Sequence, residues 1–286
     1  MPHISIRRAT PADAAACGAI CYQAFVDINS AHNFPPDISS PEAAVGLLSM
    51  MFSHPGFYGV VAESDGRIIG SNCLDERSPI AGVGPITIET GAQNSGVGRK
   101  LMDAVLARAT ERKFSGVRLL QAAFHNRSLS LYTKLGFDAR EPISTMQGPP
   151  IRKPMDGFQV RAALASDLAA CNRLCSKVHG HDRGGELADA IQQGTAQVVE
   201  RTARITGYTS SMAFFGHTVG ETVGDVQALI SAADSFGGPG ILVPTRDAAL
   251  FRWCLENGLR VQYPMTLMSM GMYQEPAGSF LPSVLF

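Results

Sequence analysis

The chain has 286 residues, 45% of them hydrophobic and 17% charged, with a net charge of −1. That length fits two domains or one large one, and the composition excludes a chain too polar to build a core. The near-neutral balance removes the electrostatic case for nucleic acid or an anionic membrane surface, and no apolar run reaches the ~18 residues needed to cross a bilayer.

From the N-terminus, Met1-Pro2-His3-Ile4 leads into an alternating strand pattern over His3–Arg8 rather than a signal peptide, so the cytoplasm is the expected location. Thr10 is a good N-cap, with Pro11 at the first helical position and Asp13 two further on, and the helix is predicted to run to about Asp27. Asn33-Phe34-Pro35-Pro36-Asp37 breaks the chain before a second helix over about Pro41–Phe52. Phe57–Glu63 and Arg67–Leu74 read as a hairpin about Ser64-Asp65-Gly66, and Gly82–Glu89 as the next strand. Arg99–Arg112 is an amphipathic helix with Leu101, Met102, Val105 and Ala109 inward. Val117–Phe124 is a strand apolar enough to be covered on both faces, and Ser128–Leu135 a short helix stopped by Gly136. Three prolines and two glycines in Gln147–Gly157 read as a linker. The expected division is residues 1–147, a linker 148–157, and residues 158–286.

The second part resembles the first. Arg7, Ala9, Asp13, Ala15, Ala16, Cys17 and Cys21 each recur 154 positions later. Arg67-Ile68-Ile69-Gly70 resembles Arg204-Ile205-Thr206-Gly207, and Leu135-Gly136-Phe137 resembles Asn257-Gly258-Leu259, at offsets of 137 and 122. The common order of elements favours duplication over chance similarity of Ala-rich helices. The six cysteines, Cys17, Cys21, Cys73, Cys171, Cys175 and Cys254, form no C-x-x-C pair. They have no His or further Cys at ligand spacing, so they read as small apolar residues on buried helix faces and no metal is expected.

The segment between the fourth strand and its helix carries chemistry. In Gln93-Asn94-Ser95-Gly96-Val97-Gly98-Arg99, glycines let the backbone approach an anion. The first N–H groups of the following helix have no intrahelical acceptor and point outward, and Arg99 adds a charged donor. A dinucleotide-binding fingerprint would need a third glycine and an acidic residue at the end of the next strand, which ends instead in Ala123-Phe124.

Ile86-Thr87-Ile88, four residues, then Gln93-x-x-Gly96-x-Gly98-Arg99 resembles motif A of the GNAT superfamily of N-acetyltransferases. Ser128-Leu129-Ser130-Leu131-Tyr132-Thr133-Lys134-Leu135-Gly136-Phe137 resembles its motif B. The resemblance covers about Ile4–Glu141, and the second part in outline only. It implies an α+β fold of two GNAT-type domains, each a mixed, mostly antiparallel twisted sheet flanked by helices. It also implies acetyl-CoA as acyl donor. The amides of Gln93, Ser95, Gly96, Val97, Gly98 and Arg99 would hold the pyrophosphate. The backbone of Ile86 and Ile88, splayed from its neighbour by a bulge, would pair with the pantetheine arm, and Tyr132 would protonate the departing thiolate. A phenol near a developing thiolate suits that role; the alternative for Tyr132 is a buried aromatic on the sheet.

Two positions depart from the family. Its usual Asn before the Tyr is His125 here, with Asn126 one step later, so the pantetheine contact falls to His125, Asn126 or Ser128. The Glu that histone-type members use as general base is replaced by Gly82. Glu76, in Asp75-Glu76-Arg77, is then the candidate base, with Glu89 another; a solvated turn is the alternative, and an amine can also arrive already deprotonated.

The second part reads as a helix over Thr222–Ser235 and a strand over Gly240–Pro244, with no Gly-rich loop between strand and helix and no Tyr in Phe251–Gly258. It is expected to be a degenerate copy without a CoA site. His217 and Trp253 could face an acceptor pocket, but packing roles are favoured. The apolar tail Met272–Phe286 is expected to dock into a groove, between the halves if one exists there. The expected activity is transfer of an acetyl group to a primary amine, small-molecule rather than nucleic acid or membrane, and a homodimer is left open. A non-catalytic acyl-CoA sensor and a transferase of longer acyl groups are the alternatives.

Overall fold

A computed structural model describes residues 4–285. The first half contains β1 (Ile4–Arg8), α1 (Ala14–Ala31), α2 (Pro41–Ser53), β2 (Phe57–Ser64), β3 (Arg67–Asp75), β4 (Ile80–Val83), β5 (Thr87–Ile88), α3 (Val97–Glu111), β6 (Gly116–Ala122), α4 (Asn126–Lys134) and β7 (Asp138–Gln147). No helix or strand occurs over 148–158. The second half contains β8 (Gln159–Ala162), α5 (Leu168–His179), α6 (Gly184–Gln192), β9 (Gln197–Arg201), β10 (Arg204–Thr209), β11 (Thr218–Gly220), α7 (Val223–Ala232), β12 (Ile241–Pro244), α8 (Ala248–Glu256), β13 (Arg260–Gly271) and β14 (Ser279–Leu281). His3 and Phe286, at the ends of the predicted first strand and tail, lie outside the described residues. No described helix is long and apolar enough to cross a membrane.

The N-terminal signal folds as its chemistry dictates. Thr10 stays extended, Pro11 opens a single 3₁₀ turn, and Asp13 accepts from the Thr10 amide at 2.8 Å and its hydroxyl at 2.9 Å. Arg7 clamps the same carboxylate with two bonds of 2.8 Å and reaches Glu63 on β2 at 2.9 Å, tying strand, turn and α1 together. The second half repeats this bracket: Arg161 holds Asp167 and Glu200, and Asp167 accepts from the Leu164 amide at 2.8 Å.

The sheets are mixed and mostly antiparallel. One runs β1-β2-β3-β4-β6-β13-β7-β12, with β5 also on β3; the other runs β14-β11-β10-β9-β8. Only β4 and β6 are parallel among the named pairs. The halves exchange their last long strands. β13 lies beside β6 of the first half, and β7 lies beside β12 of the second. The exchange is symmetric: Ala122 opposes Met265, and 122 positions on from Ala122, Pro244 opposes Ile143. Between β7 and β13, Pro142 opposes Thr266 while Pro264 opposes Ser144.

Several boundaries differ from the sequence reading. α1 continues to Ala31, four residues beyond Asp27, because no breaker intervenes before Asn33, which takes a left-handed conformation. The strand expected over Gly82–Glu89 is two pieces, because Pro85 has no N–H to continue a ladder. α3 starts at Val97 rather than Arg99, so Gly98 is already in its first turn. On one face of the first half's sheet, Leu101, Met102, Val105 and Ala109 of α3 pack with Tyr132 and Phe137. On the other, Cys17, Cys21, Leu48 and Met51 of α1 and α2 pack on Val61 and Cys73. All six cysteines are free and buried.

Candidate active site

β4 and β6 pair only from Ile80–Gly82 to Gly116–Arg118. Beyond that point they part. Gly84 donates to the Cys73 carbonyl at 3.0 Å, β5 pairs with β3, and Glu89 donates to the Ile69 carbonyl at 2.9 Å. β6 from Leu119 onward pairs instead with β13. No ladder joins Ile86–Ile88 to Leu119–Ala122, which leaves a gap in the hydrogen-bonded sheet between them. Both segments have their ladder partners on the side away from it, so their other edge is where an extended ligand can bond.

The Gly-rich loop stands at the open end of this gap. Thr90–Ala92 makes one 3₁₀ turn, and the Ser95 hydroxyl donates to the Ala92 carbonyl at 2.6 Å. Asn94 and Gly96 take positive φ of 64° and 85°, and Gly96 is the N-cap of α3. Val97, Gly98 and Arg99 therefore present the outward amides of the first turn, beside the positive end of the helix dipole. Gly98 is needed for a second reason: a Cβ there would lie 3.0 Å from Ile88 and 3.5 Å from Leu131, so its absence lets α3 start against both β5 and α4. Gln93 is half-buried, whereas Asn94, Ser95 and Gly96 are exposed. The Arg99 side chain reaches solvent, with Asp103 at 3.7 Å.

α4 closes the other side. His125 is its N-cap and Asn126 its first residue. Ser128 donates to the His125 carbonyl at 2.9 Å and receives the Gln121 amide at 3.1 Å, so its hydroxyl serves the helix end. Burial, and then the charge of Arg127, lowers the His125 pKa and keeps the ring neutral. Arg127 reaches Asn94 at 3.4 Å, linking α4 to the loop. Tyr132 is buried among α3 residues, 6.2 Å from the Phe137 ring. Burial raises its pKa, so the phenol holds its proton at neutral pH.

The expected base is placed elsewhere. Glu76 is bound by Arg108 through bonds of 2.7 and 3.1 Å, near the C-terminal end of α3. At 1.5 Å per residue, Arg108 lies about 16 Å along the helix from the loop. Both of the Glu76 oxygens are engaged by the guanidinium, so the side chain is turned to α3 and not to the loop. Asp75 is likewise held by Arg77, which also binds Asp189 of the second half at 2.9 Å, and Glu89 is paired with Arg67. At Gly82, a Cβ would overlap the Leu285 carbonyl oxygen, so the chain's last turn occupies the space where a Glu side chain would stand.

His217 is not on a pocket. It is fully buried, with Glu186 and the Tyr208 hydroxyl each at 2.9 Å, and Trp253 packs into the core of the second half. The tail does dock between the halves. β14 pairs with β11, Ser283 is bonded by Arg183, and Leu285 is buried among Cys17, Phe57 and Cys73. A cavity of about 830 Å³ adjoins the loop at Ala92 and Ser95, between α1 and the β2–β3 turn. Its polar groups are paired among themselves: Asp27 accepts from Thr90 and Gln23, both at 2.6 Å. It flanks the gap and does not reach Tyr132.

Sequence reasoning passed over one group near the gap. Asp37, in the α1–α2 connection, accepts from Asn29 at 3.1 Å and faces the Tyr263 hydroxyl of β13. Around it, the Phe34 and Phe124 rings are 4.6 Å apart, and Tyr263 is 5.9 and 6.1 Å from them. Asn33–Asp37 was legible only as a chain break, because its aromatic partners come from 124 and 263.

Residues 23–137 match the acetyltransferase (GNAT) family, a family that uses acetyl-CoA. The whole fold is similar to that of a candidate acetyltransferase from Pyrococcus horikoshii, with 17% identity, a TM-score of 0.72, and coverage of 94% of this chain and 89% of that one. It is also similar to a GCN5-related N-acetyltransferase from Sphaerobacter thermophilus, with 15% identity, a TM-score of 0.60, and coverage of 95% and 96%. A third, a GCN5-related N-acetyltransferase from Anabaena variabilis ATCC 29413, has 13% identity, a TM-score of 0.58, and coverage of 93% and 72%. No curated protein matches the chain in sequence. These likenesses establish a mixed α+β fold of GNAT type.

Proposed function

We propose that the first half binds acetyl-CoA across the loop and the gap and transfers its acetyl group to a primary amine. The observation that carries this is the left-handed Gly96 turn opening α3 at the mouth of the gap left where β4 and β6 part, with the protonated Tyr132 phenol on the neighbouring helix. In this reading the amides of Gln93 and Ser95 to Arg99 hold the pyrophosphate, and Arg99 adds charge. The free edges of Ile86 and Ile88 pair with the pantetheine arm, and Asn126 and His125 flank it from α4. The amine nitrogen attacks the thioester carbon directly, the C–S bond breaks with its electrons on sulfur, and Tyr132 gives sulfur a proton. No covalent adduct with the protein is formed. Glu76 has no role in this scheme.

The second half is, in the same reading, a degenerate duplicate. Support comes from the repeated Arg–Asp–Glu bracket and from the symmetric ladders of β7 and β13. Its α7 opens at Thr222 with a side-chain cap in place of a Gly-rich loop, and Cys254 stands 122 positions after Tyr132. One CoA site per chain follows.

The test is thiol release from acetyl-CoA with a panel of amines. Tyr132→Phe is expected to lower turnover about 10²-fold, in the range for a general acid, with acetyl-CoA binding retained. Binding without thiol release from any amine would make the protein an acyl-CoA sensor.

A further inference from the structure

The second half keeps the parted strands of the first. Gly70 of β3 opposes Ile88 of β5, and its counterpart Gly207 of β10, 137 positions on, opposes Gly220 of β11. β11 is therefore the counterpart of Ile86–Ile88. Leu119–Ala122 of β6 has its counterpart 122 positions on in Ile241–Pro244, which is β12. The short parallel join before the gap is repeated as well. The Ser115 amide donates to the Pro79 carbonyl at 3.1 Å, and Gly237 donates to Met212 at 3.0 Å, beside a parallel bridge of Ala213 with Gly237. Beyond the join, β11 follows β10 and β12 follows β7, and among the described residues no ladder connects β11 to β12.

What differs is the content of the gap, for β14 lies in it. Ser279, Phe280 and Leu281 oppose Gly220, Val219 and Thr218, on the edge of β11 that β10 leaves open, and β14 also packs beside β12. All three residues are buried, and Leu281 joins Ile241 and Val243 in the core of the second half. The fit is close: a Cβ on Gly278 would lie 2.4 Å from the Gly220 carbonyl oxygen. The Ser279 hydroxyl donates at 2.7 Å to Asp247, the N-cap of α8. Asp247 stands 122 positions after His125, the N-cap of α4. The strand thus takes both the open edge and the helix cap that flank the gap in the first half. It is anchored on either side: Ala277 donates to the Val178 carbonyl at 3.0 Å, and Arg183 donates to Ser283 at 3.2 Å.

Resting on the reading of the first gap as a pantetheine groove, we propose that the second half retains a groove for a pantetheine-like arm and that β14 is its built-in occupant, an autoinhibitory contact the chain makes on itself. Pantetheine is an extended chain with two amides. Such a chain adds to the free edge of a strand as a peptide does, so a three-residue strand can stand in its place. An edge left bare beside an apolar core would invite pairing with another chain, and β14 covers it. α7 opens at Thr222 without a Gly-rich loop, so the opened groove takes the arm and not the nucleotide. The bond from Ser279 to Asp247 is the polar latch of the closed form. Displacing β14 bares Thr218–Gly220 for the pairing that Ile86–Ile88 offers in the first half.

The experiment is hydrogen exchange of the intact chain in saturating acetyl-CoA, with and without added pantetheine, read at residues 218–220 and 279–281. In the wild type β14 keeps the groove closed, so pantetheine is expected to leave exchange over 218–220 unchanged. Ser279→Asp sets a second carboxylate against Asp247 and releases the strand, so exchange over both segments should rise about tenfold or more. Saturating pantetheine should then slow 218–220 by about tenfold or more and leave 279–281 fast, because the arm replaces the strand and does not restore it. The thermal shift given by acetyl-CoA shows that the variant is folded. If Ser279→Asp loses that shift, Ser279→Ala, which removes only the latch bond, carries the same measurement. Unchanged exchange over 279–281 in both variants, a released strand whose partner edge pantetheine does not protect, or protection of 218–220 by pantetheine in the wild type with β14 in place would each overturn the proposal. No acetyl-CoA thermal shift in the wild type is a different result: it removes the acetyltransferase reading of the first gap, whereas β14 is judged at 218–220 and 279–281 alone.

Discussion

At the scale of single residues, two side chains that look alike in sequence have opposite situations. Glu76 and Asp37 are both carboxylates in connections between elements. Glu76 is consumed by Arg108, whereas Asp37 stands among aromatic rings with an amide and a phenol as neighbours. Glu76→Gln should therefore cost about 1 kcal/mol of stability, since the Arg108 guanidinium loses a charged partner but keeps Glu111 at 3.3 Å, and leave thiol release close to wild type. Denaturant titration and the amine assay read the two separately. Gly82 is a sharper case. Gly82→Ala must push the Leu285 backbone aside, so it is expected to destabilise by about 1–3 kcal/mol, seen as a lower denaturation midpoint.

At the scale of elements, the parts legible in sequence were those whose signals are local. The Thr10-Pro11-x-Asp13 start of α1, the Gly96-x-Gly98 turn into α3 and the Gly136 stop after α4 each depend on residues within one turn and were legible, although α3 opens at Val97, two residues before the expected Arg99. The parts that were not legible depend on distant partners. Nothing near Glu76 announces Arg108, 32 positions later, and nothing near Asp37 announces Tyr263. Alternation identifies a strand without naming its neighbour, so the insertion of β13 beside β6 could not be read from either segment. The missing side chain at Gly82 was visible, but its cause, a carbonyl at Leu285, was not. Packing also dictates what the loop tolerates. Gly98→Val would press on Ile88 and Leu131, spreading α3 from β5 and α4. It should lower the midpoint of unfolding and weaken acetyl-CoA binding together, whereas a loop acting only through its amides would lose binding alone.

At the scale of the whole molecule, the strand exchange makes the halves interdependent. One sheet runs through both halves, with β13 between β6 and β7 and β12 beyond β7, and Arg77–Asp189 and the C-terminal segment cross the same boundary. Calorimetry should show one unfolding transition; two separate ones would mean that β7 and β13 do not hold the halves together. Acid should weaken this unit early. Burial lowers the pKa of His181 to about 4 and that of His217 also below its ordinary value, so both are neutral in the folded state. In the unfolded chain they titrate near 6.5. Their contribution is complete above that value and is lost as the pH falls through the interval down to the folded pKa, because the unfolded chain binds the extra protons. Tm should fall between pH 6.5 and about 4, before carboxylates such as Asp13, held well below its ordinary range by Arg7, add their own loss.

The central claim is one acetyl-CoA site per chain at the Gly96 turn. Equilibrium titration of the intact protein with acetyl-CoA tests it most directly. The account predicts saturable binding with a stoichiometry of one, abolished by Gly96→Glu, which forces a side chain into a left-handed position and sets a negative charge against the pyrophosphate. No binding, a stoichiometry of two, or binding indifferent to Gly96→Glu would contradict it.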